Sequence, residues 1–290
     1  MASRVSTGHT DCILDLIDLE RYPIVDLDRG AGAEFLHECQ DHMAVHGWCN
    51  LDGFVKSDGL KALAEEANEL LPSAEFLTIK RTIYGGKVDS SVPEGDPRRR
   101  EYTHRALQLA DDQLPEDSLI QQLYRSDIMT EFVRRVQGKR ELHRYADEFQ
   151  ALNIVALPPG GWHGWHYDYN ECTVTLLLQA AEKGGEFTFL PDVRTKDDEN
   201  REVVDQFLSG DMSNAKTFSR GAGALTLFRG EYSLHGVTEI EGNLPRITAI
   251  FTYDEEPDRV ASDEINIRIY GPRVERILAE RKASSTAVLK

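Results

Sequence analysis

Gly160-Gly161-Trp162-His163-Gly164-Trp165-His166-Tyr167-Asp168 is the stretch on which the reading of this 290-residue chain turns. Side chains two apart on an extended segment point to the same face, so His166 and Asp168 can converge on one ion. Alone, such a triplet is weak evidence, because histidines of this kind more often sit in a loop or a core. Its surroundings decide.

Outward from that stretch, short β-branched and aromatic runs recur at 151–157, 172–179, 186–190, 224–228, 232–240, 246–253 and 265–270. They predict a β-rich half, and many short strands separated by turns favour a jelly roll. A charged segment at 195–211 with a short helical pattern reads as a surface insertion in a core spanning 148–272. Residues 1–147 read as mainly helical, with apolar spacing at 33–46 before Gly47, at 57–71 before Pro72, and at 116–136. Gly85, Gly86, Pro93, Gly95 and Pro97 mark a long loop over 85–100 that could cover a site. A helix from about Pro272 and a loose tail close the chain over 273–290.

Without an internal repeat or a low-complexity linker, one domain over 1–290 is the economical reading. The fold class expected is α+β: a double-stranded β-helix, or cupin-like jelly roll, with helices packed on one face.

A formal charge of −17 argues against a phosphate-backbone partner, and Arg98 to Arg100 is too short a basic run to reverse that. No apolar stretch approaches the ~20 residues of a membrane span. Met1 to Thr10 lack the pattern of a secretory signal, so the expected location is cytoplasmic. Cys12, Cys39, Cys49 and Cys172 are scattered and read as reduced, buried thiols. Trp162, Trp165, Tyr167 and Tyr169 are read as packing aromatics, and the acidic runs 197–199 and 254–256 as solvated surface.

A third ligand would complete a two-histidine, one-carboxylate facial triad, and His235 is the candidate. Arg246 follows it by eleven residues, one hairpin away, where a guanidinium can grip a carboxylate in a bidentate fork. Together these residues resemble the iron(II)/2-oxoglutarate-dependent oxygenase superfamily over Leu152 to Tyr253. Gly184-Gly185-Glu186-Phe187, Gly221-Ala222-Gly223-Ala224-Leu225 and Arg246-Ile247-Thr248-Ala249-Ile250-Phe251 are similar to that family as well. The resemblance implies an iron site at His166, Asp168 and His235, 2-oxoglutarate held by Arg246, and O2 as the oxidant.

His163-Gly164-Trp165-His166-Tyr167-Asp168 and the 173–179 strand further resemble the radical halogenases and hydroxylases of free amino acids, lysine in particular. In that group a glycine two residues after the first histidine leaves room for chloride, whereas a carboxylate fills the place. Asp168 therefore implies a hydroxylase acting on a basic amino acid, with succinate and carbon dioxide as coproducts. His163 is similar in placement to a substrate-binding histidine, or serves as a group hydrogen-bonded beside the iron; an unbent strand would turn it away from His166. Arg105 or Arg100 would take the substrate carboxylate, and Glu148, Thr252 and Tyr270 would line the pocket. Two other readings stay open: oxidation of another small natural-product intermediate, and a non-catalytic cupin-like metal-binding protein, against which Arg246 speaks.

Overall fold

A computed structural model describes residues 13–85, 88, 90–170 and 172–288. Before the core come α1 (Gly30–His46), β1 (Trp48–Leu51), α2 (Ser57–Leu70), β2 (Glu75–Arg81), β3 (Tyr102–Ala110), α3 (Leu119–Arg125), α4 (Asp127–Val136) and β4 (His143–Arg144). The core continues through β5 (Leu152–Leu157), β6 (Trp162–His166), β7 (Cys172–Gln179), β8 (Lys183–Gly184) and β9 (Phe187–Leu190). Then come α5 (Arg201–Leu208), β10 (Lys216–Phe218), β11 (Leu225–Arg229), β12 (Leu234–Val237), β13 (Ile240–Glu241) and β14 (Arg246–Asp254), closed by α6 (Asp263–Tyr270) and α7 (Pro272–Val288).

Most strands join one antiparallel sheet in the order β1-β11-β7-β14-β5-β3-β6-β12-β9-β10, which curls into the half-barrel of a jelly roll. The strand sequences explain the curl. In β7, β11 and β14 the residues Val174, Leu176, Leu225, Leu227, Ile247, Ala249 and Phe251 join the apolar core beneath the helices. The alternate positions Thr173, Thr175, Phe228, Arg246, Thr248 and Ile250 line an internal cavity instead. Period-two alternation thus places greasy residues outward against helices and mostly polar ones inward. That suits a barrel whose interior is a site rather than a core.

The helices supply the other half of the core: Leu36, Cys39 and Met43 from α1, Leu63 and Ala67 from α2, Leu123 from α3, and Phe132 and Val136 from α4. Phe132 is fully buried and stacks on Phe35 at 5.8 Å and Phe54 at 6.4 Å between ring centroids. Gly47, at φ +77°, ends α1 in the left-handed conformation that glycine adopts without strain. No helix among the described residues is long and apolar enough to cross a membrane. Cys39, Cys49 and Cys172 are buried, and Cys12 lies outside the described residues.

Several elements differ from the sequence reading. The mainly helical segment 1–147 also contains the β2–β3 hairpin, and β3 sits in mid-sheet between β5 and β6. β2 does alternate, but its inward row of Leu77 and Ile79 ends in the charged Arg81, and Arg105 adds a charge to β3, so neither run is apolar enough to stand out. The run 265–270 is helical, because Ser262 caps it by accepting from Ile265 N at 3.3 Å, and its buried residues, Asn266 and Tyr270, are four apart. The single helix expected over 116–136 breaks at Ser126, whose hydroxyl caps α4. Helix α5 of the 195–211 insertion buries Val204, Phe207 and Leu208 against the barrel, with Phe207 edge-on to Trp165 at 4.8 Å. The tail expected after 282 stays helical through Val288. Residues 86, 87 and 89 of the long loop lie outside the described residues.

Candidate metal centre and anion pocket

Strands β6 and β12 pair with His166 opposite His235, which brings the two imidazoles to 4.1 Å between centroids. Each ring is tethered through Nδ1 to a backbone carbonyl two residues earlier: His166 to Gly164 O and His235 to Ser233 O, both at 2.8 Å. Those carbonyls can only accept, so Nδ1 carries the proton and Nε2 keeps a free lone pair. Asp168 Oδ1 lies 3.6 Å from Nε2 of His166 and 3.5 Å from Nε2 of His235. Thr173 donates to the other oxygen, Oδ2, at 2.6 Å. Two nitrogens and one carboxylate oxygen therefore converge within 4.8 Å of one another.

The donor set fits a divalent first-row metal held on one face, with coordination positions left for other ligands. Burial, then the neighbouring His235 and Arg81 charges, lowers the His166 pKa well below the usual imidazole range, which keeps its nitrogen available. Burial would by itself raise the Asp168 carboxyl, but the His235 imidazole and the hydroxyl of Thr173 hold it below the usual carboxylate range. Gly230 permits this approach: a Cβ there would stand 2.2 Å from Asp168 Oδ2 and 2.3 Å from Thr173 Oγ1.

His163 faces the same cavity, with its ring 4.5 Å from that of His166. The bend this requires is a bulge. Between the pairs His235–His166 and Val237–His163, β6 spends one residue more than β12, so a three-residue spacing returns to the same face. Burial and the nearby Arg81 charge push His163 down to about 3, so it is neutral around pH 7.

The cavity behind the triad, about 170 Å³, is lined by three guanidiniums, Arg81, Arg220 and Arg246, and one carboxylate, Asp168. Arg246 is 5% exposed, and burial brings it down to about 10. Its Nη1 donates to Thr248 Oγ1 at 2.5 Å. Arg81 reaches in from β2, donating through Nε to His104 Nε2 at 2.9 Å. That bond makes Nδ1 the protonated nitrogen of His104, and this buried Nδ1 has no partner among the described residues. A chain of net charge −17 thus encloses a cationic chamber.

A second compartment of about 320 Å³ shares Arg81, Asp168, Thr173, Ile250 and Ile269 with the first, and opens onto Tyr145, Gln150, Thr252 and Asp254.

Sequence reasoning located His166, Asp168, His235, Arg246 and His163, and the structure brings all five to this cavity. Thr252 lines the second compartment. Four other expected contacts point elsewhere. Arg105 lies on the opposite face of β3 from His104, Ala106 and Gln108, over the rings of Trp162 at 5.3 Å and Phe76 at 5.7 Å. Arg100 donates to Leu208 O at 2.6 Å, holding the end of α5. Glu148 pairs with Arg281 at the surface, with Nη2 2.7 Å from Oε2. Tyr270 is buried, its hydroxyl bonded to Phe149 O at 2.9 Å and Asn153 Oδ1 at 2.5 Å.

Arg81, His104 and Arg220 were missed. For Arg81 a signal existed: Leu77, Ile79 and Arg81 form the inward row of an alternating strand.

The family profile described as Halogenase D matches residues 31–270. Among solved structures, an oxidoreductase of the 2OG-Fe(II) oxygenase family from Burkholderia pseudomallei aligns at 15% identity and TM-score 0.51, covering 80% of this chain and 94% of that one. AviO1 from Streptomyces viridochromogenes Tue57 aligns at 13% identity and TM-score 0.53, covering 78% and 97%. The epimerase SnoN, solved in complex with Fe3+, alpha ketoglutarate and nogalamycin RO, aligns at 16% identity and TM-score 0.51, covering 77% and 84%. At these identities the likeness is one of fold. No curated protein sequence matches.

Proposed function

This chain belongs to the Halogenase D family, and we propose that within it the chain is an iron(II)- and 2-oxoglutarate-dependent hydroxylase of a free amino acid, a basic one such as lysine. The reading rests on Asp168, whose Oδ1 stands 3.5–3.6 Å from both histidine Nε2 atoms while Thr173 occupies its Oδ2. A protein carboxylate there takes the place that a halide would need. That favours oxygen transfer over halogenation.

His166, Asp168 and His235 would hold the iron, and Arg246 with Thr248 would take the far carboxylate of 2-oxoglutarate in the inner chamber. Bound there, the metal and cosubstrate supply oxygen activation and the oxidising power for C–H hydroxylation, with succinate and carbon dioxide released. The protein's share is placement. Thr173 orients the carboxylate, the Nδ1 tethers fix both imidazoles, and the apolar wall of Leu157, Phe187 and Phe228 limits water.

The outer compartment suits a zwitterion. Arg81 is placed for the substrate carboxylate, the role expected of Arg105 or Arg100. Asp254 would face an ammonium group there, in a wall it shares with Tyr145 and Arg259. Thr252 would complete that wall, and neutral His163 lines the inner cavity beside the triad.

Anaerobic addition of 2-oxoglutarate to the iron(II)-loaded protein should raise a weak visible charge-transfer band, and its absence sinks the cosubstrate claim. Succinate release with a panel of free amino acids should peak with a basic one and yield a product heavier by one oxygen. Turnover confined to unrelated substrates overturns the substrate class.

A further inference from the structure

Arg220 belongs to no strand. It sits in the turn before β11, yet its side chain enters the barrel interior and is 6% exposed. Nη1 donates to Thr175 Oγ1 at 2.7 Å and Thr226 Oγ1 at 2.8 Å, and the guanidinium lies 5.1 Å from the Phe187 ring centroid. Those partners are neutral. They satisfy hydrogen bonds without compensating the charge, and Nε is left with no partner among the described residues.

Burial lowers the Arg220 pKa well below the usual value and repulsion by Arg246 lowers it further, with the Asp52 carboxylate opposing. Neither arginine is paired with a carboxylate among the described residues; Arg246 has only Thr248. A recess of about 30 Å³ touches both side chains. Gly185 gives Arg246 its passage beside that recess, since a Cβ there would meet Arg246 Cδ at 3.0 Å. Two like charges held in a dry interior, one with an unused donor, call for an anion that both can reach.

We propose that Arg220 and Arg246 form one anion pocket that takes the far carboxylate of a dicarboxylic 2-oxo acid, with Arg220 as its second cation. This rests on the reading in which Arg246 binds that carboxylate. The pocket then selects its cosubstrate by the charge at the distal end: 2-oxoglutarate satisfies both guanidiniums, whereas a 2-oxo acid ending in a methyl group leaves both buried charges unanswered. Arg220 acts on binding, remote from the reacting atoms.

The test is calorimetric binding of 2-oxoglutarate and of 2-oxopentanoate to the cobalt(II)-loaded protein, in wild type, Arg220→Met and Arg220→Lys. Losing a charge-assisted hydrogen bond should weaken 2-oxoglutarate by roughly 10- to 100-fold in Arg220→Met, while 2-oxopentanoate binds as in wild type. Arg220→Lys, which keeps the charge but not the fork, should fall between. In thermal melts without ligand, Arg220→Met should be no less stable than wild type, because an uncompensated buried charge is gone, and its stabilisation by 2-oxoglutarate should shrink. Binding of 2-oxoglutarate by Arg220→Met within twofold of wild type overturns the proposal, as does an equal loss for both acids. Wild type that binds neither acid sinks the cosubstrate reading and this proposal with it. Wild type that binds 2-oxoglutarate while the variants are unchanged sinks this proposal alone.

Discussion

Thr173 donates its hydroxyl hydrogen to Oδ2 of Asp168 at 2.6 Å, so the oxygen turned toward His166 and His235 is Oδ1. The threonine chooses which oxygen is available. Thr173→Val keeps the shape and removes the donor, and metal affinity should fall by about 10- to 100-fold. A cobalt(II) titration identical to wild type would show that the carboxylate orients itself.

Asp168→Gly removes the one carboxylate on the triad. Hydroxylated product should drop by at least roughly 100-fold, more than for a supporting residue. Retention of near-normal oxygen insertion, read by product mass, contradicts the ligand assignment. Added chloride tests a separate point, since halide binding also needs pocket groups that a single substitution does not create.

Arg81 and Arg105 make a matched pair for the substrate side, one facing the cavity and the other facing Trp162. Arg81→Gln should raise KM for the amino acid by roughly 10- to 100-fold with 2-oxoglutarate affinity little changed, and Arg105→Gln should leave both alone. The reverse pattern would restore the role the sequence suggested for Arg105.

Alkaline stability offers a check that does not involve metal binding. Burial, and then the nearby Glu199 carboxylate, raises the Tyr84 phenol to about 12 from 10.0. The folded state therefore holds a proton that the unfolded chain releases above pH 10. This contribution is complete below pH 10 and is lost as the pH climbs toward 12, costing about 1 kcal/mol by pH 11. Between pH 8 and 11, Tyr84→Phe should lose less stability than wild type by about that amount in urea unfolding; equal losses would refute it.

Phe132→Ala should destabilise the fold by about 3–5 kcal/mol, because the ring is fully buried between Phe35 and Phe54. Metal affinity of the folded protein should be unchanged. A urea midpoint close to wild type would mean that the helical layer repacks.

The triad was legible because its chemistry is written in local spacing and strand alternation: His166 and Asp168 two apart, His235 on a distant strand, Arg246 one hairpin beyond. Arg105 shows where that logic ends. Strand facing has a period of two, so an alignment displaced by one residue exchanges the cavity face for the outer one. His104 is inside and Arg105 outside. Arg81 and Arg220 were hidden for a different reason: one arrives on a hairpin and the other on a turn, and neither element belongs to the motif. Helix α6 was misread because Ile265, Ile267 and Ile269 alternate like a strand, while the cap at Ser262 commits the segment to helix. Local capping outweighed the pattern.

The extra residue in β6 decouples two decisions that a regular strand would bind together. His166 stays in register with His235 whatever happens upstream, because the bulge absorbs the difference before His163 meets Val237. Straightening β6 with its three-residue spacing kept would send His163 to the far side of the sheet, whereas deleting the extra residue would leave His163 two before His166 and still on the cavity face. The candidate metal ligands keep their pairing in either case, so the bulge alone decides which way His163 faces.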